Sequence, residues 1–308
     1  MDRLRARVLK STGSWYQVEL EDGSKMDCRL RGKFKNLELK VTNPIAVGDW
    51  VLIEPDDDGK GIISEIEPRR NYFIRKSVKK TDHAHLIAAN IDQAILVVTL
   101  AFPKTSLGFI DRFLVSIEAF RIPGVLLFNK ADIMDEVMLT YQKELAELYQ
   151  NLGYKCLLVS AETGEGMEEV MQILAGKLSV FSGHSGAGKS TLINKLIPNI
   201  HQKTAQISSF ANKGVHTTTF AEMFEVDSDT WVIDTPGIKE LGLVEMEEWE
   251  ISHYFPEMRH FLGQCKFNNC LHINEPNCKI IEALNAGQIA ISRYNSYLSM
   301  LMNEESHR

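Results

Sequence analysis

A chain of 308 residues with 44% hydrophobic and 24% charged side chains has the make-up of a folded, water-soluble protein and the length for two or three structural units. Its net charge of −7 argues against a polycation that coats nucleic acid. No apolar run approaches the ~20 residues of a bilayer span, and the charged amino terminus lacks the apolar core of a secretory signal. The expectation is a cytoplasmic protein.

Charge is uneven along the chain. Residues 1–80 hold 17 Lys/Arg against 13 Asp/Glu, and the remainder 17 against 28. A basic front on an acidic body fits an anionic partner for the front, or simply a solvated surface. The front reads as short strands at 14–20, 26–30, 37–42, 49–54 and 61–66, with polar turns at 21–25 and 56–59. Strands at this spacing predict a five-stranded OB-type barrel over residues 1–68. Such barrels bind nucleic acid through basic grooves and stacking aromatics. Trp15, Tyr16, Arg29, Arg31, Lys33 and Lys35 are the candidates, against the plainer reading of barrel core and solvated rim. Residues 69–81 read as a basic linker with two aromatics.

From residue 82 the pattern changes. Apolar runs at 93–100, 124–128, 156–159, 178–181 and 231–233 alternate with amphipathic stretches such as 109–120 and 139–152. Continuous apolar strands between helices predict a multidomain α/β chain whose middle unit, residues 82–244, is a mostly parallel sheet with helices on both faces. Residues 245–308 form a separate helical unit around a Cys/His cluster.

Residues 183–190 read Gly-His-Ser-Gly-Ala-Gly-Lys-Ser, the G-x-x-x-x-G-K-[ST] pattern, placed after an apolar strand and opening a helix. Glycines let successive N–H groups of Gly183, His184, Ser185, Gly186, Ala187 and Gly188 turn toward phosphates, and the helix start at Ser190 and Thr191 adds partial positive charge. Lys189 would reach the β- and γ-phosphates, and the Ser190 hydroxyl would hold Mg2+.

The base is chosen elsewhere. Asn129, Lys130, Ala131 and Asp132 match N-K-x-D, whose carboxylate accepts two hydrogen bonds from guanine; adenine offers neither donor, so the wrong base leaves polar groups unpaired. Ser160 and Ala161 match the S-A element, and Asp234 and Gly237 match D-x-x-G, contacting Mg2+-bound water and γ-phosphate respectively. All four motifs follow predicted strands, where ligands of open α/β sheets bind. The base-reading motifs precede the phosphate loop, the reverse of the usual order, so this nucleotide-binding unit is circularly permuted.

With its barrel-like front and Cys/His tail, the permuted order resembles the small-subunit-dependent GTPases of the RsgA (YjeQ) type over nearly the whole length. The resemblance implies GTP hydrolysis, stimulation by the small ribosomal subunit, and a role in late maturation of that subunit. It also implies GTP, GDP, the subunit and its rRNA as partners, no membrane, and a monomeric chain. Residues 214–219 (Gly-Val-His-Thr-Thr-Thr) resemble the family's first switch. One of Thr217, Thr218 and Thr219 completes the Mg2+ shell, and Thr218 is taken here. Val215 stands where the family has arginine. After D-x-x-G, Ile238 occupies the position where many GTPases place a water-orienting glutamine. His216 is therefore the catalytic candidate beside Lys189, or else an ordinary loop histidine.

Cys265, Cys270, His272 and Cys278 supply three thiols and one imidazole within fourteen residues. Four S/N ligands fit one closed, tetrahedral structural zinc site; His253 and His260 read as surface residues. Two further functions stay open on the sequence: a nucleic-acid-binding scaffold that senses guanine nucleotide without turnover, and a GTPase serving a protein partner.

Overall fold

The computed structural model describes residues 3–31, 43–56, 58–76, 84–197, 221–235 and 246–302. Five strands, β1 (Leu4–Ser11), β2 (Tyr16–Leu20), β3 (Lys25–Leu30), β4 (Trp50–Pro55) and β5 (Gly61–Ile66), build the front. They pair in the order β1-β2-β3-β5-β4 and close through β1–β4, with only β3–β5 parallel. The expected OB-type barrel is present, with a strand set that differs from the expectation. Leu4–Ser11 was not anticipated as a strand, and the anticipated strand at 37–42 lies outside the described residues. Ala6, Val8, Tyr16, Val18, Val51, Ile53 and Ile63 form the barrel core. Tyr16 is buried, its hydroxyl donating to Asn43 Oδ1 at 2.6 Å, so it packs the barrel and offers no ring to a partner.

Strand β1 has a bulge between Val8 and Lys10 where it pairs with β2. The extra residue, Leu9, points away from the barrel into the core of the next unit, as bulges re-aim side chains. Lys10 then pairs with Glu222 of β12 (Glu222–Asp227), and their side chains meet at 2.9 Å. Polar contacts brace the joint. Asp49, fully buried, accepts from Arg69 Nε and Nη2, both at 2.7 Å, and from Ala46 N. Asn71 and Ile91 exchange two bonds at 2.8 Å. Gly48, at φ +89°, passes so near the Ala89 carbonyl that a Cβ would lie 2.3 Å from its oxygen, which is why no side chain is accommodated there. The segment read as a linker holds β6 (Tyr72–Lys76), paired antiparallel with β7 (Ala84–Ala89).

Continuous with the barrel through β1–β12, the sheet runs on as β10-β9-β8-β11-β13-β12, with β8 (Gln93–Val98), β9 (Gly124–Phe128), β10 (Lys155–Leu158), β11 (Leu178–Gly183) and β13 (Thr230–Asp234) parallel and β12 antiparallel. Alternate residues of buried β8 divide between two cores. Ala94, Leu96 and Val98 face α1 (Leu107–Ala119) and α2 (Glu136–Asn151). Ile95 and Val97 face α3 (Met167–Leu174) and α4 (Lys189–Leu196). The chain leaves β8 toward β9 and β10, then returns to add β11 on the other side. The strand order therefore reverses between β8 and β11, and a crevice outside those strand ends is where a ligand binds.

The tail consists of a 3₁₀ segment at Glu248–Tyr254 and helices Pro256–Arg259, Lys279–Asn285 and Ile291–Leu301. The last two helices are separated where Gly287 takes φ +72°. Its core joins Ile251, Phe255, Met258, Ile280, Tyr297 and Met300 to one residue of α1, Val115. Among the described residues no helix is long and apolar enough to cross a membrane.

Candidate functional site

The loop between β11 and α4 lies at the reversal point. Gly186 (φ +85°) and Gly188 (φ +93°) take left-handed backbone, which turns the amides inward before α4 begins. Ser185, Ser190 and Thr191 are exposed. Lys189 is 8% exposed, and its ammonium donates to the Asp234 carboxylate and the Thr235 carbonyl. The Thr235 hydroxyl in turn donates to the Phe181 carbonyl at 2.7 Å, which pins the end of β13 to β11. Lysine and aspartate, 45 residues apart, thus meet at one point.

Asn129 directly follows β9 and is buried. Its Nδ2 donates to the Ala187 carbonyl at 2.8 Å, and its Oδ1 accepts from Ala161 N at 2.9 Å. One side chain thereby joins the N-K-x-D strand end, the phosphate loop and the S-A strand end. The fit is close: a Cβ on Gly188 would stand 2.2 Å from Asn129 Nδ2. Lys130 takes left-handed backbone (φ +68°), which Ala131 and Asp132 follow in a 3₁₀ turn. Asp132 is exposed and accepts from Ser160 Oγ at 2.6 Å. That hydroxyl also accepts from Thr163 N, so the carboxylate is aimed by a fixed neighbour. The four N-K-x-D residues and Ser160, Ala161, residues 183–191 and Asp234 come together at the ends of the parallel strands. His216, Thr218, Gly237 and Ile238 lie outside the described residues.

Two contacts were not anticipated. Thr99 N–H bonds Thr105 Oγ1, and Thr99 Oγ1 bonds the Pro103 carbonyl, which shapes the loop after β8. Lys130 Nζ donates to the Phe102 carbonyl, and Pro103 borders Gly186. The signal was present as a Pro-Lys-Thr-Ser turn following a wholly buried strand. The second contact is His184, whose imidazole lies on Phe109 of α1. Burial lowers the imidazole pKa below its ordinary value.

In the tail, the donor atoms of Cys265, Cys270, His272 and Cys278 lie within 4.8 Å of one another. Cys265 Sγ is 3.9 Å from Cys278 Sγ, and His272 Nδ1 is 3.3 Å from Cys278 Sγ and 3.6 Å from Cys265 Sγ. Thiolates ~2.3 Å from a tetrahedral ion stand about 3.8 Å apart, so the set fits one metal ion. Glu275 accepts from Leu271, Ile273 and Asn274 N–H groups, and Tyr294 and Tyr297 hydroxyls donate to the His272 and Leu271 carbonyls. These bonds hold the ligand loop, as outer partners do at metal sites. The remaining thiols, Cys28 and Cys156, are buried and pushed up to about 12 by desolvation, which leaves them inert.

On the barrel, the Arg29 guanidinium lies 4.0 Å from the Trp15 ring centre, with Lys60 Nζ at 5.4 Å. Arg5 and Arg7 approach Trp50 at 4.0 and 5.4 Å. Arg31 is engaged with Glu54 at 3.2 Å; Lys33 and Lys35 lie outside the described residues.

A doubly wound sheet with a phosphate loop at its reversal point, and base-reading elements ahead of that loop in the chain, defines a circularly permuted nucleotide-binding protein. The RsgA GTPase family model matches residues 66–244, and the RsgA N-terminal domain model matches 6–63. The small ribosomal subunit biogenesis GTPase RsgA of Cytophaga hutchinsonii is 55% identical across 99% of this chain and 100% of its own. Its namesake from Bacteroides fragilis is 51% identical across 98% and 97%. Among solved structures, YjeQ from Thermotoga maritima shares 36% identity over both full chains with a TM-score of 0.77. The circularly permuted GTPase YloQ shares 29% identity over 98% of this chain and 95% of its own, with a TM-score of 0.74. The chain belongs to the RsgA GTPase family and is a GTP-hydrolysing enzyme.

The double role of Asn129 gives a stability test. Asn129→Ala leaves a buried N–H and a buried C=O without partners, at ~1–3 kcal/mol each. A loss of roughly 2–6 kcal/mol in denaturant unfolding is expected. A variant as stable as the parent would show that the bridge carries no weight.

Proposed function

We propose that this GTPase acts as a nucleotide switch in late maturation of the small ribosomal subunit, binding its rRNA and being stimulated by the subunit. The observation that supports this most is the permuted arrangement, joined through Asn129, on a chain 55% identical along its length to a protein named for small-subunit biogenesis.

In this reading Asp132 accepts from the guanine N1–H and 2-amino group while Ser160 holds its orientation. Asn129, Lys130, Ala131 and Ala161 frame the base. The amides of residues 183–191 and Gly237 bind phosphate. Lys189 exchanges its bonds to Asp234 and Thr235 for phosphate oxygens, which places its charge where negative charge accumulates in the transition state. Ser190, Thr218 and Asp234 are hard oxygen donors suited to Mg2+, which would neutralise the β- and γ-phosphate oxygens. His216 orients the attacking water in place of the glutamine that Ile238 replaces. Cys265, Cys270, His272 and Cys278 hold one structural zinc. Trp15 with Arg29 and Lys60 supplies stacking and phosphate contacts for RNA. The chain from Gly237 through residues 238–250 runs directly into the tail, so relaxation of this segment after hydrolysis reaches the tail.

Three measurements check this reading. Small subunits should co-sediment more tightly with the protein in a GTP analogue than in GDP and raise turnover at least tenfold; equal affinity without stimulation refutes the switch. Asp132→Asn exchanges one of two acceptors for a donor, so XTP should displace GTP as the preferred nucleotide. Continued preference for GTP in competition would remove Asp132 from base reading. Elemental analysis of protein purified without chelator should find one zinc per chain, and no metal would refute the site.

A further inference from the structure

Helix α1 is held by two parts of the chain that lie far apart in sequence. At its first turn Phe109, itself buried, meets the imidazole of His184 with ring centroids 3.9 Å apart and planes inclined by 35°. His184 is the second residue of the phosphate loop, so the loop's N-terminal half rests on α1. With its pKa lowered by burial, the imidazole packs there as a neutral ring.

A second face of α1, spaced i, i+4, i+7, belongs to the tail. Asp111 accepts from Arg293 Nη1 at 2.6 Å and from the Tyr149 hydroxyl at 2.8 Å. Val115 is part of the tail core, and Glu118 accepts from Arg259 at 2.7 Å. Arg293 is 1% exposed, and its other edge is held by Glu257 at 2.7 and 3.2 Å. A buried guanidinium shared by two carboxylates tolerates little displacement, because separating either pair leaves a charge without compensation. The third face of α1, Ile110, Leu114 and Ile117, packs on the sheet core.

We propose that α1 is a positioning bar through which the Cys/His tail sets the geometry of the phosphate loop. Arg293 and Asp111 are its positioning residues on the tail side; Phe109 and His184 are those on the loop side. This rests on reading residues 183–191 as the phosphate site. The route differs from the one through residues 238–250, since it acts on the loop that binds phosphate in both nucleotide states. A displacement of the tail tilts α1 and shifts the amides beside His184. It therefore weakens phosphate binding while leaving the base-reading contacts of Asp132 in place.

The test uses the full, metal-loaded chain and four proteins: the parent, Arg293→Met, Phe109→Leu and the double variant. GDP affinity is read with a fluorescent analogue and amide exchange is followed across residues 183–191. Each single variant should weaken GDP about fivefold, the low end of couplings between sites, and speed loop exchange at least fivefold. Guanine-over-xanthine selectivity should not change. The double variant should bind no more weakly than the weaker single one, because both substitutions cut the same bar. Losses that multiply, or unaltered loop exchange with the tail released, overturn the proposal. Should Arg293→Met fail to fold, Asp111→Asn, which retains an acceptor for Arg293 but not its charge, takes its place under the same criteria. A parent chain that does not bind GDP would instead overturn the reading of the loop as the phosphate site.

Discussion

The side-chain amide of Asn129 is the joint on which the nucleotide site depends. In the chain it stands 58 residues from Ala187 and 32 from Ala161. The parallel sheet brings the ends of β9, β10 and β11 to one edge, but strand ends alone leave the loops free to splay. A carboxamide has one donor end and one acceptor end at fixed separation, and here each end meets a backbone group of a different loop. A carboxylate of the same shape would oppose the Ala187 carbonyl. Glycine at 188 is the matching condition, since any side chain there would displace the amide.

Much of this site was legible because each motif rests on a backbone requirement. Left-handed glycines, a buried strand before the loop and a helix after it leave strong marks in sequence. The barrel was less legible for electrostatic reasons. Arg5, Arg7 and Lys10 crowd β1, just after Arg3, and mask the alternation of Ala6 and Val8, the residues that carry the strand inward. In β6 the basic composition read as a linker, and β12, rich in acids and lying between β13 and β1, shows little apolar pattern. Tyr16 could have been assigned to the core from the period of two alone. It shares parity with Val18, which is buried, whereas Trp15 stands on the other side of the alternation.

The tail shows a different limit. Its cluster of three thiols and one imidazole was visible from spacing, because donors able to hold a metal ion must fall within a short segment. Its seat was not, because that depends on residues distant in sequence. Asp111 was the available signal: an acid inside an otherwise apolar helical stretch demands a partner when buried. Arg293, buried in the last helix, is that partner. Neither residue identifies the other without the fold.

The bulge at Leu9 has a consequence for how the molecule is divided. One strand contributes Val8 to the barrel core and the very next residue to the core beneath the sheet, while its far end extends the pairing into β12. Separating the front by proteolysis or truncation would bring an apolar side chain into water and strip the hydrogen-bonding partner from a sheet edge, the condition under which edges recruit foreign strands. The front is therefore ill suited to exchange as a detachable module. Melting of either core is expected to draw the other with it as a single cooperative event.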